Sequence, residues 1–346
     1  MVTGDRVSTV ERMRAIVYSQ TGPSSVLRLV EREVPEPGPG EVRVRLVRAG
    51  VNPTDWKFRA GMMSGWDEVT PGQDGAGVVD AVGEGVGHLH VGDRVWLLLA
   101  QHGRPYGTAA ELTVQPAERV VHLPDGASYD VGASLGVPAV TAHRALTSGE
   151  VHRLAPGAMA DQVVLVAGGA GAVGHAAIQL ARWAGATVIT TVSSEDKAVL
   201  ARAAGAHHVV NYRETDPATT ILEVAPSGVD LVVEVAPAPN QFLDLLVTRV
   251  HGTIAIYANN GGTELTLPLR ETFSRNLRYQ FIILYTLDPA MLSLAVTEVS
   301  AALADGALEV GEAAGLPLHH FTLEETAAAH DAVEAGMVGK VLIDLE

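Results

Sequence analysis

The chain predicts an α/β protein in which a turn-rich β unit is joined to a doubly wound parallel sheet. Three observations carry this. From Arg14 to about Ala142, short strand-like runs are broken by Pro and Gly clusters such as Pro35, Pro37, Gly38, Pro39 and Gly40. From Gln162 to about Leu284, apolar strand-like runs alternate with helical stretches, the pattern of a parallel sheet covered by helices. Between the first of those runs and the first of those helices stands Gly169-Ala-Gly-Ala-Val-Gly174.

Composition bounds the function. The 346 residues suffice for two domains, and 47% hydrophobic content with 18% charged residues describes a well-buried globular chain. A net charge of −16 argues against nucleic-acid partners, which need basic surface. The sequence has 0 cysteines, so disulfides, thiolate nucleophiles and cysteine-ligated zinc are excluded. No secretory leader or apolar span is recognised, and a soluble cytoplasmic protein with no membrane partner is expected. Residues 1–12 read as a loose extension.

In the β unit, Arg14–Tyr18, Glu41–Leu46, Gly75–Gly83 and Val91–Trp96 read as strands of a distorted barrel. In the second region the strands are Val163–Ala167, Thr187–Val192, His208–Val210, Val229–Val235 and Gly252–Tyr257, with helices including Ala176–Ala184 and Lys197–Ala204. Phe281-Ile-Ile-Leu-Tyr285 reads as a last apolar edge strand through which a homodimer would pair. Helices at Ala290–Ala304 and Leu323–Ala335 and a strand at Gly339–Asp344 close the chain. The expected division is 13–140 with 290–346 for the β unit and 141–289 for the parallel-sheet domain.

The glycine motif follows a strand and opens a helix, the context that makes it a dinucleotide-binding Rossmann loop. Gly169 is expected to make the turn, Gly171 to let the backbone approach a pyrophosphate, and Gly174 to let the helix pack on the strand. Ala172 and Val173 present N–H groups at the helix N-terminus. A triphosphate P-loop is excluded, because His175 and Ala176 stand where Lys and Ser/Thr are needed. After the next strand come Ser193 and Ser194 rather than a carboxylate, with Lys197 nearby. Two hydroxyls and an ammonium suit a 2′-phosphate, so NADPH is the expected cofactor, with Glu195 and Asp196 read as first-turn helix residues.

Ala49-Gly-Val-Asn-Pro-Thr-Asp55, Pro71-Gly-Gln-Asp-Gly-Ala-Gly-Val-Val79, Val82-Gly-Glu-Gly-Val86 and Val91-Gly-Asp-Arg-Val95 resemble the medium-chain dehydrogenase/reductase superfamily, in its quinone oxidoreductase (zeta-crystallin-like) group. The resemblance runs from about Arg14 to the C-terminus. It implies a GroES-like β-barrel substrate domain assembled from both chain ends, with a Rossmann domain between them. Zinc-dependent members carry a cysteine where Asn52 stands, Gly-His-Glu where this chain has Gly72-Gln73-Asp74, and a further ligand near Val137. None of these ligands is present, so no metal is expected. A chain without a Lewis acid suits acceptors that spread the charge themselves, namely quinones and enones.

The resemblance also implies site residues. Asn52 would contact nicotinamide and substrate, and Asp55 would orient its neighbours. Lys57, where many quinone reductases have tyrosine, would donate to an oxyanion. Trp56, Met62, Met63 and Trp66 would wall the pocket. Thr141 would touch the nicotinamide side, Tyr212 the 2′-phosphate or adenine edge, and Lys340 the cofactor. Tyr257 and Asn260 lie at the carboxyl edge of the sheet, where doubly wound folds bind ligands. The histidines show no metal-binding pattern. No Tyr-x-x-x-Lys pair is present. Three functions are consistent with these residues: a quinone or enone reductase, an enoyl-thioester reductase using Arg59, Arg104 and Lys57 as phosphate contacts, or an NADPH-binding sensor or structural protein of low turnover.

Overall fold

The computed structural model describes residues 11–62 and 65–346. The expected extension at residues 1–12 lies outside them except for its last two residues, as does Met63. The chain divides into two compact units: the described residues up to Asp125 with His320–Gly336 and Val341–Glu346, and Gly126–His319 with Met337–Lys340.

In the first unit, strands β1 (Arg12–Val17) and β2 (Arg28–Glu33) form an antiparallel ribbon. The long strand β3 (Glu41–Val51) is the centre of a second, seven-stranded sheet with β4 (Asp74–Val82), β5 (Arg94–Leu97), β6 (Leu112–Pro116) and β7 (Val120–His122). The C-terminal strands Leu318–Thr322 and Lys340–Asp344 complete it, the latter antiparallel to β3. Apolar side chains alternate along β3, placing Val42, Val44 and Leu46 in a core with Val79, Val95, Leu97, Val341 and Ile343. Two bulges in the β3–β4 ladder bend the pair, which is how a sheet curls toward a barrel. Gly77 lies so close to β3 that a Cβ there would stand 2.0 Å from the Arg45 carbonyl.

The second unit is a six-stranded parallel sheet in the order β10-β9-β8-β11-β12-β13. Its strands are β8 (Val163–Ala167), β9 (Thr187–Val192), β10 (His208–Asn211), β11 (Val229–Glu234), β12 (Thr248–Ile256) and β13 (Arg278–Phe281). Chain order and sheet order reverse between β8 and β11, the switch point at which such folds bind ligands. Helices α1 (Pro53–Lys57), α2 (Tyr129–Gly132), α3 (Gly136–Leu146), α4 (Ala172–Trp183), α5 (Glu195–Ala203), α6 (Pro217–Val224), α7 (Pro237–Val247), α8 (Leu269–Ser274) and α9 (Pro289–Ala304) follow in chain order, α1 alone of these belonging to the first unit.

Two sequence expectations differ from the structure. The edge strand expected over 281–285 is β13, which ends at Phe281; Leu284–Thr286 is a single helical turn. The ladder stops after Ile282 donates to the Ile256 carbonyl, and Ile282 and Leu284 turn inward as buried side chains. The second unit is also longer than the expected 141–289, because α2, all of α3 and α9 belong to it. Glu298 on α9 explains the tie: it meets buried His143 on α3 at 2.7 Å and accepts from the Leu154 N–H at 2.6 Å.

Candidate functional site

In the phosphate loop the turn falls one residue earlier than expected. Gly168, with φ +71, makes the left-handed turn after β8. Gly169, expected to make that turn, is instead buried, where a Cβ would stand 2.2 Å from Thr190 Oγ1 on β9. Gly171 is exposed and forms the N-cap of α4 with no side-chain cap. The first-turn N–H groups of α4, including those of Ala172 and Val173, thus open where a helix N-terminus offers partial positive charge. Gly174 packs as expected: a Cβ there would lie 2.4 Å from the Gly168 carbonyl. This cradle fits a pyrophosphate.

Beside it, β9 ends at Val192 and Ser194 caps α5, its hydroxyl accepting from the Lys197 N–H at 3.4 Å. Lys197 Nζ donates to Ser193 Oγ at 3.1 Å, so the ammonium and the hydroxyl sit together at the carboxyl edge of the sheet. Glu195 and Asp196 are exposed first-turn residues, and Glu195 pairs with Arg202 at 2.7 Å. Tyr212, half exposed, follows β10 and is tied to this edge by its N–H bond to the Val192 carbonyl. Ser193, Ser194 and Lys197 are therefore neighbours, and the backbone of Tyr212 lies beside the end of β9.

Tyr257 and Asn260 follow β12, and their N–H groups donate to the carbonyls of Glu234 and Val235 at 3.1 and 3.0 Å. Beneath them lies a cluster the sequence reading missed. Glu234 ends β11 fully buried, and its carboxylate accepts from the Ala236 N–H and from Asn240 Nδ2. Burial pushes its pKa up. Asp244 on α7, also buried, is hydrogen-bonded to Glu234, and burial and that neighbouring carboxylate raise its pKa well above the usual range, so the pair shares a proton. Burial and Glu234 likewise raise the Tyr257 phenol. Thr141 lies buried on α3, and Lys340 is buried with its N–H on the Pro317 carbonyl at 2.8 Å.

In the first unit, Asn52 links β3 to α1, with Pro53 at the first helical position. Asn52 and Asp55 are both buried, and Asp55 Oδ2 accepts from the Asn52 N–H at 2.7 Å, which makes Asp55 a cap that positions Asn52. Asn52 Nδ2 donates to Asp74 Oδ2 at 2.7 Å. Gln73, the neighbour of Asp74, donates to Gln101 Oε1 at 3.0 Å. Two of the positions expected to hold metal ligands in zinc-dependent members, Asn52 and Gln73, thus carry amides engaged in hydrogen bonds. Among the described residues, no group of three or more His, Asp or Glu side chains could hold a metal ion.

Lys57 is partly exposed at the end of α1, its Nζ 5.7 Å from the Trp56 ring centre. Met62 and Trp66 are about half exposed. Two of the three expected phosphate contacts of a thioester reductase are otherwise engaged: Arg59 is buried against Glu334 at 2.8 Å, and Arg104 pairs with Glu41 at 2.9 Å. Three histidines, His143, His175 and His330, are buried. Single-sequence spacing carries no signal for these, since tertiary packing alone buries them.

Residues 38–125 match the alcohol dehydrogenase GroES-like domain family, and residues 172–301 match the zinc-binding dehydrogenase family. The quinone oxidoreductase of Lama guanicoe is 32% identical over 354 residues, covering 100% of both chains. The chain belongs to the medium-chain dehydrogenase/reductase superfamily. Another relative is the 2-haloacrylate reductase of a Burkholderia species, 32% identical and covering 92% of this chain and 94% of that one. The structure of Escherichia coli quinone oxidoreductase complexed with NADPH superposes with a TM-score of 0.78 at 25% identity, covering 96% of this chain and 99% of that one. The fold is accordingly the GroES-like domain with a Rossmann-like parallel sheet, and the chain is a medium-chain reductase. Among the described residues, no helix is long and apolar enough to cross a membrane.

Proposed function

We propose that this reductase is zinc-independent, takes NADPH, and delivers hydride to a quinone or an α,β-unsaturated carbonyl compound. The observation that carries the cofactor reading is the Lys197–Ser193 contact beside an uncapped helix N-terminus. A carboxylate at that strand end would accept from a ribose 2′-hydroxyl, whereas an ammonium with two hydroxyls pairs with a 2′-phosphate. The NADPH bound to the Escherichia coli relative supports the same choice. When bound, the nicotinamide supplies the hydride.

The chain's own residues would do the rest. The α4 N-terminus would hold the pyrophosphate, with Gly168 and Gly174 shaping the loop and Gly171 keeping the approach clear. Thr141, Tyr257, Asn260 and Lys340 are proposed as further cofactor contacts, and Tyr212 as a neighbour of the 2′-phosphate. Asn52, oriented by Asp55 and Asp74, would present its amide to the reacting carbonyl, and Lys57 would donate to the oxygen as charge develops. Amides at Asn52 and Gln73 are poor zinc ligands beside thiolate and imidazole, which favours acceptors carrying their own electron sink. The two relatives named for quinone and haloacrylate reduction agree with that class. A homodimer through the exposed edge of β13, where Phe281 and Ile283 face outward, and a cytoplasmic setting complete the proposal.

Replacing Lys197 with Ala tests it. Losing a charge-assisted hydrogen bond costs about 1.5–3 kcal/mol, so NADPH should bind at least about tenfold more weakly while NADH is unaffected. Equal effects on the two nucleotides would refute the assignment.

A further inference from the structure

The turn after β12 joins Asn260 to Gly261, and both residues are exposed. It is closed by the Gly262 N–H donating to the Asn259 carbonyl at 3.3 Å, longer than the usual distance of about 2.9–3.0 Å, so it opens at little cost. Gly261 has φ +81, and a Cβ there would stand 3.0 Å from Pro239 Cγ at the start of α7. Position 261 therefore requires glycine, which leaves its own backbone nitrogen unshielded.

An asparagine side-chain amide is open to attack by the backbone nitrogen of the next residue when that nitrogen can lose its proton and reach Cγ. The six asparagines of the chain differ in this respect. Asn52 is followed by Pro53, which has no N–H. The N–H groups after Asn211, Asn259 and Asn276 donate to the carbonyls of Val192, Val235 and Thr272 at 3.1, 3.0 and 3.4 Å. Asn240 lies within α7, and its amide is engaged by Glu234. The Gly261 N–H has no acceptor among the described residues, and the Asn260 side chain has no hydrogen-bond partner there.

We propose that Asn260–Gly261 is a site of spontaneous deamidation, which sets a negative charge at the carboxyl edge of the parallel sheet. The deprotonated Gly261 nitrogen bonds to Asn260 Cγ, the Cγ–Nδ2 bond breaks, and Nδ2 leaves as ammonia with a proton from water. Water then opens the succinimide at either carbonyl, giving aspartate or isoaspartate at position 260. One water is consumed, one ammonia is released, and nothing is oxidised or reduced. The new carboxylate stands at the end of β12, two strands from β8 and its glycine loop. At about 4.8 Å per strand the separation is on the order of 10 Å, about one Debye length in physiological salt, so repulsion of a bound phosphate is modest and salt-sensitive. That consequence, unlike the modification itself, rests on the proposed nucleotide site.

The test incubates the full chain in mildly alkaline buffer beside a mildly acidic control, then sequences the tryptic peptide of residues 250–270 by tandem mass spectrometry. The expected result is an amide-to-acid mass gain at position 260 that grows with alkalinity and is absent at position 259. Asn260→Gln, whose longer side chain would have to close a larger ring, should gain none. An unmodified peptide, or a gain at Asn259 instead, would overturn the site. The incubated parent and Asn260→Asp should each bind NADPH about 1.5- to fivefold more weakly than the fresh parent, with the difference shrinking in high salt. A modified chain that binds NADPH as the fresh one does would overturn the charge effect. A fresh parent that binds no NADPH would instead sink the cofactor reading and leave the mass result standing.

Discussion

His175 immediately follows the last glycine of the phosphate loop, and its chemistry makes the nucleotide-binding unit sensitive to acid. The ring is buried on α4, and its Nε2–H donates to the Ala314 carbonyl at 2.8 Å. Burial lowers its pKa from 6.5 to about 4, partly offset by that bond. Below pH 6.5 the unfolded chain therefore holds a proton that the folded chain refuses. Stability contributed by the neutral ring is complete above the unfolded pKa and is lost as pH falls toward the folded one. Each pH unit in that window removes about 1.4 kcal/mol, so the fall from pH 7 to pH 5 costs about 2 kcal/mol from this residue alone. His175→Gln retains a donor for Ala314 and does not titrate. Urea unfolding of both proteins at several pH values, followed by the fluorescence of Trp183 on the same helix in variants lacking the other three tryptophans, reads the difference. The parent should lose about 2 kcal/mol more than His175→Gln between pH 7 and pH 5. Parallel pH profiles would show that His175 titrates normally and that its burial is not what the geometry indicates.

Other tests address the same unit. In the Glu234–Asp244 pair the folded chain binds a proton more tightly than the unfolded chain, so stability falls as pH rises above the unfolded carboxyl range. Asp244→Asn keeps a donor for Glu234 without the titration, and its advantage over the parent in urea unfolding should grow from pH 5 to pH 8; a constant difference would contradict the shared proton. Gly174→Ala must displace the Gly168 carbonyl, which lies 2.4 Å from the new Cβ. It should cost about 1–3 kcal/mol and weaken nucleotide binding, whereas Gly126→Ala, which meets nothing within 4 Å, should be near neutral in thermal unfolding.

The parallel sheet was legible because β8, β9 and β11 are rich in β-branched residues and buried at nearly every position, and the motif between β8 and α4 ordered them. The turn itself was misplaced by one residue. Gly168 and Gly169 are adjacent, and spacing alone does not say which takes the positive φ and which must admit Thr190. Phe281–Tyr285 looked like a strand because it is an unbroken apolar run, although the ladder has ended after Ile282. The assignment of α9 depended on Glu298 meeting His143, a contact 155 positions apart that no local pattern reveals. For the same reason the Glu234–Asp244 pair lay beyond the sequence. Ser193, Ser194 and Lys197 were readable because a strand end and the following cap are local features.

Direct hydride transfer is tested most squarely by mixing the enzyme in the presence of a chelator with NADPH deuterated at nicotinamide C4 and an excess of 1,4-naphthoquinone, then following nicotinamide absorbance in a stopped-flow instrument. NADPH should be consumed mole for mole with quinone, with a primary isotope effect, no dependence on the chelator, and much slower consumption of NADH at equal low concentration. Absence of oxidation, or activity abolished by the chelator and restored by zinc, would contradict the account.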